Sequence, residues 1–548
     1  MWLWGTVDID RPDAVLEWGI DIESYVDEVA KENSTTYFHN LKFDGHFLID
    51  WMLKHGYTYV DEGDRGLVRG TFSALISDQN KVYSITVRWW NGKNTEFRDS
   101  YKKLPMSVSN VARSFDLPMT KGDLDYHAKR PVGYQPDEDE LDYLERDIRI
   151  IALALKEVLD NGMTRLTVAS DSLAEYKRIV GEKWFKRTFP VLADEMDSEI
   201  RRAYRGGFTY ADPRFMSCKQ GSGIVLDVNS LYPAVMYNDI LPHGEPEFVE
   251  GRVEPTESRP LTVFSITFVA KLKPGHIPCI QIKGSFIFGS TEYLTEINEP
   301  TTLMVTNVDL DLYNEHYDMH ILAYGGGWRF KGVRGLFDDY IDKWSKVKVE
   351  STGGKREIAK LHLNALYGKF GSNPNITGRY PIIEDGRVRF IRGEDKTKAP
   401  IYTAIAVFVT AYARALTIRA AQTNYDHFAY ADTDSLHLLG DHWETYTDDK
   451  GKEALANPPA DIVVHPTTRG AWKYEYSFTN AFYVRPKFYL EQLADGSYKV
   501  AAAGLPQQES EKLTFDDLTD GKVITGKLSP RSVPGGVVLE DVPYTIKL

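Results

Sequence analysis

An apolar run that ends in a carboxylate, GIVLDVNSLYP at residues 223–233, limits the fold more than any other segment of this chain. Its aliphatic residues read as a buried strand, and the polar Asp-Val-Asn-Ser stretch marks where that strand leaves the core. Farther along, HFAYADTDSLHLL at residues 427–439 alternates apolar and polar residues around Asp432 and Asp434, which lie between flanking strands. Residues two apart on a strand share a face, so one tight turn aims both carboxylates at a common point. Either segment alone is equally well explained by aspartate's preference for turns. The two together favour a carboxylate clamp built from two strands.

With 548 residues the chain has room for roughly two to four folding units. Residues 1 to about 165 alternate short apolar runs with helical patterns such as LERDIRIIALALKEVL and read as a mixed α/β unit, its helix from about Leu141 to Leu159 ending at Asn161-Gly162. A second unit begins near Tyr204-Arg205-Gly206-Gly207, and residues from about 240 to 335 are rich in strand and turn formers. Two helical stretches, about 335–350 and 355–370, are joined by Ser351-Thr352-Gly353-Gly354 and predict a helical hairpin. Turn signals in 373–398 predict a projecting β-hairpin, and an apolar helix follows at about 401–420.

The composition is that of a folded protein, 42% hydrophobic and 12% aromatic. Two cysteines, Cys218 and Cys279, are too few for a disulfide framework and suit a reducing cytosol. No leader is expected at the N-terminus, and no run is expected to approach the length of a membrane span. A formal charge of −14 argues against indiscriminate nucleic-acid binding, so any DNA contact must use local basic clusters.

Phosphoryl transfer to a 3′ hydroxyl needs one cation to activate the nucleophile and another to steady the leaving pyrophosphate, roughly 3.5–4 Å apart. Asp227 and Asp434 are the candidate ligands. In KLHLNALYGKFG, residues Lys360, Asn364 and Tyr367 share one helical face, with Ile358, Leu361 and Ala365 on an apolar face elsewhere. A lysine suits a triphosphate and a tyrosine ring suits a base, although an ordinary amphipathic helix shows the same pattern. Lys348 and Arg356, on the two arms of the helical hairpin, add charge or are solvated. In RPKFYL, Lys487 and Tyr489 fall on one face of an expected strand, where they would hold a primer terminus.

In order and spacing these segments resemble the family B DNA polymerases. DVNSLYP is similar to their motif A, KLHLNALYG to motif B, YADTDS to motif C, and KFY to their primer-binding Lys-x-Tyr. YFHNLKFDG, KGDLDYH, YRGGFT and VPGGVV narrow the resemblance to the protein-primed subgroup, over nearly the whole chain. Ala365 departs from the usual serine of motif B.

The resemblance implies an α/β (α+β multidomain) right-hand polymerase with an RNase H-like exonuclease domain. Its parts would be an exonuclease-like domain at 1–167, palm at 168–238 and 400–505, a first insertion at 239–335 for a terminal protein, fingers at 336–371, a second insertion at 372–399 and thumb at 506–548. It further implies two Mg2+ ions, with Mn2+ as an alternative, on Asp227 and Asp434, completed by the Val228 backbone and supported by Asp432. Tyr232 would exclude a ribose 2′ hydroxyl. Lys360 would contact the triphosphate, Asn364 and Tyr367 the nascent base pair. Tyr204, Gly206 and Gly207 would pass the primer between two active sites. The implied partners are primer and template DNA, deoxynucleoside triphosphates and a terminal protein, for a monomer that acts processively with strand displacement in a bacterial host's cytoplasm.

For proofreading, Asn40 and Asp44 match the second exonuclease motif, and Tyr143 and Asp147 the third, each pair four apart and on one face if helical. Lys121, Asp123 and Tyr126 resemble an accessory motif, and His39, Phe43 and Ser100 the single-strand contacts. The leading Asp-x-Glu is not matched. Asp21-Ile22-Glu23 has the letters but stands only about seventeen residues before Asn40 and reads as a helix start, with Asp8 and Asp10 as remote substitutes. The expectation is intact polymerisation with weak or absent 3′–5′ excision. Rival readings are a nucleic-acid-primed polymerase, a catalytically silent DNA-binding relative, and a nuclease on a polymerase platform.

Overall fold

The computed structural model describes residues 3–61, 66–125, 128, 130–131, 133–282, 293–447 and 453–548. Tyr126 lies outside them. Central to the structure is a five-stranded antiparallel sheet in the order Trp472–Phe478, Gly223–Val228, Ser435–Leu439, Phe428–Asp432, Thr209–Ala211. The apolar run Ile224–Leu226 is buried because its strand has a neighbour on each edge and helices behind. That backing includes Thr403–Thr423, a helix apolar nearly all round. By length and composition it qualifies as a membrane span, which corrects the expectation that no run approaches that length; most of its surface is covered by the rest of the protein.

In the stretch of chain between Gly223–Val228 and Phe428–Asp432, four long strands pair as a separate sheet in the order Leu241–Val249, Tyr317–Val333, Leu261–Leu272, Glu296–Thr306. A ten-residue helix, Asn307–His316, opens from a capping box in which Thr306 and Asp309 exchange bonds. Helices Asp338–Glu350 and Gly353–Phe370 form the expected hairpin. Its second helix buries Ile358, Ala359, His362, Leu363, Leu366 and Phe370, whereas Leu361 and Ala365 are only half-buried. The expected apolar face is thereby corrected: this helix is packed both by Asp338–Glu350 and by Val168–Val180, so its buried side is wider than one stripe.

The N-terminal region holds a five-stranded sheet, Ser34–Phe38, Asn94–Asp99, Val82–Arg88, Thr71–Ile76, Thr58–Tyr59, with its outer pairs parallel. Helix Leu41–Lys54 covers it, and helix Glu138–Asp160 begins at an Asp137 capping box. Asp21 caps helix Ile22–Val29, accepting from Ser24 N at 2.7 Å, and Glu23 accepts from Trp51 Nε1 at 2.8 Å.

The hairpin of Arg379–Glu384 and Arg387–Arg392 turns at Asp385-Gly386, both with positive φ. Its Val388 is buried in the N-terminal core, Tyr380 stacks near Tyr59, and Lys396 pairs with Asp61 at 2.6 Å. From the other side a C-terminal hairpin, Leu528–Val533 with Gly536–Asp541, meets it through Ser532 Oγ donating to Val388 O at 3.1 Å. Gly536 of that hairpin lies on the Phe47 ring, leaving no room for a Cβ. A further four-stranded sheet, Lys219–Gln220, Asn480–Arg485, Phe488–Gln492, Tyr498–Ala502, shares its core with Leu513, Leu518 and Ile546.

Candidate active site

Asp227 stands at the end of its strand opposite Ser435 on one side and Lys473 on the other. Beyond it, Val228 N donates to Asp434 O at 2.8 Å, which fastens the two carboxylate-bearing segments together. Burial, then repulsion from Asp434 and Glu475, pushes the Asp227 carboxyl up to about 7 against the attraction of Lys473 and Lys348. Burial likewise raises Asp434, with Asp432 adding to the effect. Two half-buried carboxylates, both raised by burial and Asp227 further by Asp434, form an oxygen donor set that a divalent cation would relieve, so the residues fit such an ion.

Between Asp432 and Asp434, Thr433 leaves the strand: it takes φ +65° and donates its N–H to Phe208 O at 2.6 Å. Asp432 accepts from Thr209 Oγ1 at 2.9 Å and from Lys487 Nζ at 2.7 Å on both oxygens. Lys487 is corrected: it sits in the left-handed turn before strand Phe488–Gln492, at φ +63°, with its N–H donating to the Tyr430 hydroxyl at 2.9 Å. Tyr489 is on the strand, its ring packed about 5 Å from those of Tyr430 and His437.

On the other side of Asp227, the Tyr232 ring stacks on Tyr367 with centroids 4.1 Å apart. Burial raises both hydroxyls. Lys348 donates to Ser230 Oγ at 3.0 Å, and its own carbonyl accepts from Arg356 at 3.1 Å. Burial, then repulsion by Arg356 and Lys360, lowers the Lys348 ammonium. Arg356 and Lys360 thus gather about Lys348, whose ammonium also acts on Asp227. Lys360 is held by Glu357 at 2.9 Å, and Asn364 is exposed on the same helix. The Tyr204 ring lies against Gly371, and Gly207 backs directly onto Thr433. Ser230, Thr433, Lys473 and Glu475 were not singled out from sequence. The alternation in Trp472–Phe478 puts Lys473 and Glu475 on one face, where they pair at 2.5 Å, and was the available signal for them.

The N-terminal candidates form a second, separate group. His39 bonds Ser100 Oγ at 3.0 Å and Met106 O at 2.9 Å. Asp147 pairs with Lys121 at 3.2 Å, and the same ammonium lies 5.2 Å from the Tyr143 ring. Burial raises Asp147, Lys121 opposing. Burial, reinforced by Asp99, raises Asp44 to about 7. Asn40 and Asp44 do not share a helical face: Asn40 is the left-handed residue preceding helix Leu41–Lys54, its N–H donating to Asp99 at 3.0 Å. Phe43 packs on Phe47, and Asp123 is exposed. Asp8 is spent on an exposed turn, accepting from Asp10 N at 2.9 Å and pairing with Arg11.

A carboxylate pair at adjoining strand ends of a central antiparallel sheet, faced by a helical hairpin carrying three cations, defines a right-hand nucleotidyltransferase. Residues 26–136 and 128–452 match the family described as DNA polymerase type B, organellar and viral. The chain is 40% identical to the DNA polymerases of Bacillus phages B103 and phi29, covering all of this chain and 96% of each. It is 31% identical to that of Streptococcus phage Cp-1, over 96% of this chain and 90% of the relative. Phi29 DNA polymerase solved with primer-template DNA and incoming nucleotides superposes with a TM-score of 0.89, and with single-stranded DNA 0.91, covering the whole chain. The chain belongs to the type B DNA polymerases, in the phi29-like branch. It is a DNA-directed DNA polymerase, and enzymes of this family generally use divalent metal ions.

Proposed function

We propose that Asp227 and Asp434 hold the divalent cations of nucleotidyl transfer, Mg2+ with Mn2+ as an alternative, with the Val228 backbone completing the site. Bound there, a pair of such ions would lower the pKa of the 3′ hydroxyl and steady the departing pyrophosphate. Lys348, Arg356 and Lys360 receive the triphosphate, and their mutual repulsion is the cost that its negative charge offsets. The stacked rings of Tyr232 and Tyr367 form a floor under the sugar and base, with Asn364 beside the nascent pair. Asp432 acts as the anchor of Lys487, which with Tyr489 grips the primer terminus. Tyr204, Gly206 and Gly207 form the primer-handling turn.

The observation that carries this reading is the joining of the two carboxylate segments by the Val228–Asp434 bond, with the cation group on the adjoining helices. Priming by a terminal protein, docked on the insertion at 239–335, is supported by the likeness to the phage enzymes. Processive, strand-displacing synthesis is supported by the bridge that Arg379–Arg392 makes between the N-terminal and C-terminal regions. The same likeness supports a monomer in a bacterial host's cytoplasm, and the palm, fingers, thumb and exonuclease-like divisions given above. Weak excision is supported by the pairing of Asp147 with Lys121. Extension of a primed single-stranded circle tests the assignment. Synthesis beyond one full circle is expected of the natural chain and none of Asp434→Ala; unchanged activity in that variant refutes the metal assignment.

A further inference from the structure

Lys473 stands directly across the sheet from Asp227, and opposite residues of an antiparallel pair put their side chains on one face, with Cβ atoms about 4.5–5.5 Å apart. A permanent cation thus lies beside a residue proposed to hold a divalent ion, and it works against that ion. The backbone fixes it there: Asn229 N donates to Ala471 O at 3.0 Å, and Gly470 N to Asn229 O at 2.9 Å. Glu475, farther along the same strand, has no counterpart on Gly223–Val228, because the register skips from Tyr474 to Tyr476. Such a bulge re-aims a side chain, and here Glu475 accepts from Lys473 Nζ at 2.5 Å. The two side chains remain 40% and 35% exposed, open to an arriving ligand. Burial raises the Asp227 carboxyl, and the charge of Lys473 opposes it. Burial lowers the Lys348 ammonium, and Lys473 adds to the effect, although Lys348 itself rests on Ser230. Lys473 therefore acts both on the carboxylates and on the cations assigned to the triphosphate.

We infer that Lys473 is a built-in counter-charge that couples ion and nucleotide: its ammonium keeps a bare divalent cation weakly held at Asp227, and receives the triphosphate when the nucleotide arrives with its ion. An ammonium repels a lone metal ion and attracts phosphate charge, so one side chain disfavours the first state and favours the second. The flexible stem of a lysine suits this exchange, and Glu475 keeps the ammonium on this face between ligands. By linkage, nucleotide tightens the ion by the same factor as the ion tightens nucleotide. The inference rests on the reading of Asp227 and Asp434 as metal ligands and names what sets their affinity.

The test uses the full chain and two equilibrium measurements that need no turnover. Mn2+ binding without nucleotide is read from the electron paramagnetic resonance of the free ion at low ionic strength, and the part lost in Asp434→Ala is that of the proposed site. Retention of a labelled nucleotide is read at saturating Mn2+ on a primer–template ended by a dideoxynucleotide. Lys473→Gln is expected to melt like the natural chain, as exposed substitutions do. It is expected to bind Mn2+ on the order of tenfold more tightly and to retain nucleotide on the order of tenfold more weakly. Lys473→Arg keeps the charge and follows the natural chain in both. Release of Glu475 to ligate the ion is a rival cause of tighter binding, so Lys473→Gln is repeated beside Glu475→Gln, where the tightening persists if the ammonium acts by its charge. Tightening that vanishes beside Glu475→Gln, Mn2+ affinity unchanged or weakened by Lys473→Gln, or nucleotide retained as well as before, overturns the proposal. Any of these together with loss of Mn2+ in Asp434→Ala leaves the metal reading standing. No loss in Asp434→Ala overturns that reading and this one with it.

Discussion

Replacing Gly207 with alanine should perturb Asp432 and Asp434, the latter proposed as a metal ligand, through sterics alone. A Cβ at this position would lie 2.7 Å from both Thr433 Oγ1 and Cγ2 and 3.0 Å from Thr433 Cβ. Ordinary carbon contacts are about 3.5–4.0 Å, so the two segments must part by on the order of 1 Å. Rotating the Thr433 side chain cannot relieve the contact with its own Cβ. The Thr433 backbone is fastened on both sides, by its N–H to Phe208 and by its carbonyl to Thr417. The displacement passes into the backbone of Asp432 and Asp434. Overpacking of this kind costs about 1–3 kcal/mol of stability, and a misplacement of about 1 Å at a reacting centre lowers turnover on the order of a hundredfold. Single-turnover primer extension with saturating primer–template and nucleotide measures the loss, with melting as the control for folding. Thr433→Ser removes one of the crowding atoms, so in combination with Gly207→Ala it should restore part of the rate. A Gly207→Ala enzyme with natural turnover, or a double variant no better than the single, refutes the argument that this contact sets the position of Asp434.

Tyr232→Val removes the ring that stacks on Tyr367, and is expected to lower discrimination against ribonucleotides by on the order of tenfold to a hundredfold; unchanged ratios of kcat/KM for the two sugars would show that Tyr232 is not the gate. Glu175 has its pKa raised by burial but pulled down to about 2 overall by bonds from Arg178 and Lys343. Because the folded value lies below the ordinary 4.5, its stabilisation is fully present above pH 4.5 and is lost as pH falls toward about 2. Melting of Glu175→Gln against the natural chain should show a gap that narrows only across that window. Degradation of a labelled single strand without nucleotides is expected to be slow, and fast metal-dependent digestion abolished by Asp147→Ala would count against weak excision.

The strand that carries Asp227 was legible because a buried run with neighbours on both edges is apolar without interruption. The helical hairpin and the projecting β-hairpin were legible from their turn residues. The turn at Thr433 was not legible because alternation says which face a residue occupies on a strand, and Thr433 leaves the strand for a left-handed conformation that a β-branched residue rarely takes. Lys487 was misread for the same reason. The Arg414–Asp309 pair joins residues 105 apart, a separation no local pattern encodes. A lone arginine within TAIAVFVTAYARAL was nevertheless a visible signal, since a charge in so apolar a helix must find a partner.

The bridge made by Val388, between the N-terminal core and the C-terminal hairpin, poses a problem of threading. If the template runs beneath this bridge, as the proposed strand displacement requires, a linear template can enter end first, but a circle has no end, so synthesis on it requires one parting of the bridge per template and none per nucleotide added. The parting divides into unequal shares. The Lys396–Asp61 pair is exposed and worth little, so added salt should barely change the cost of parting the bridge itself. Val388 is buried, and separating it from the N-terminal core exposes apolar surface whose cost salt does not screen. Loading of closed templates should therefore track the size of the side chain at position 388, while the rate of elongation once loaded does not.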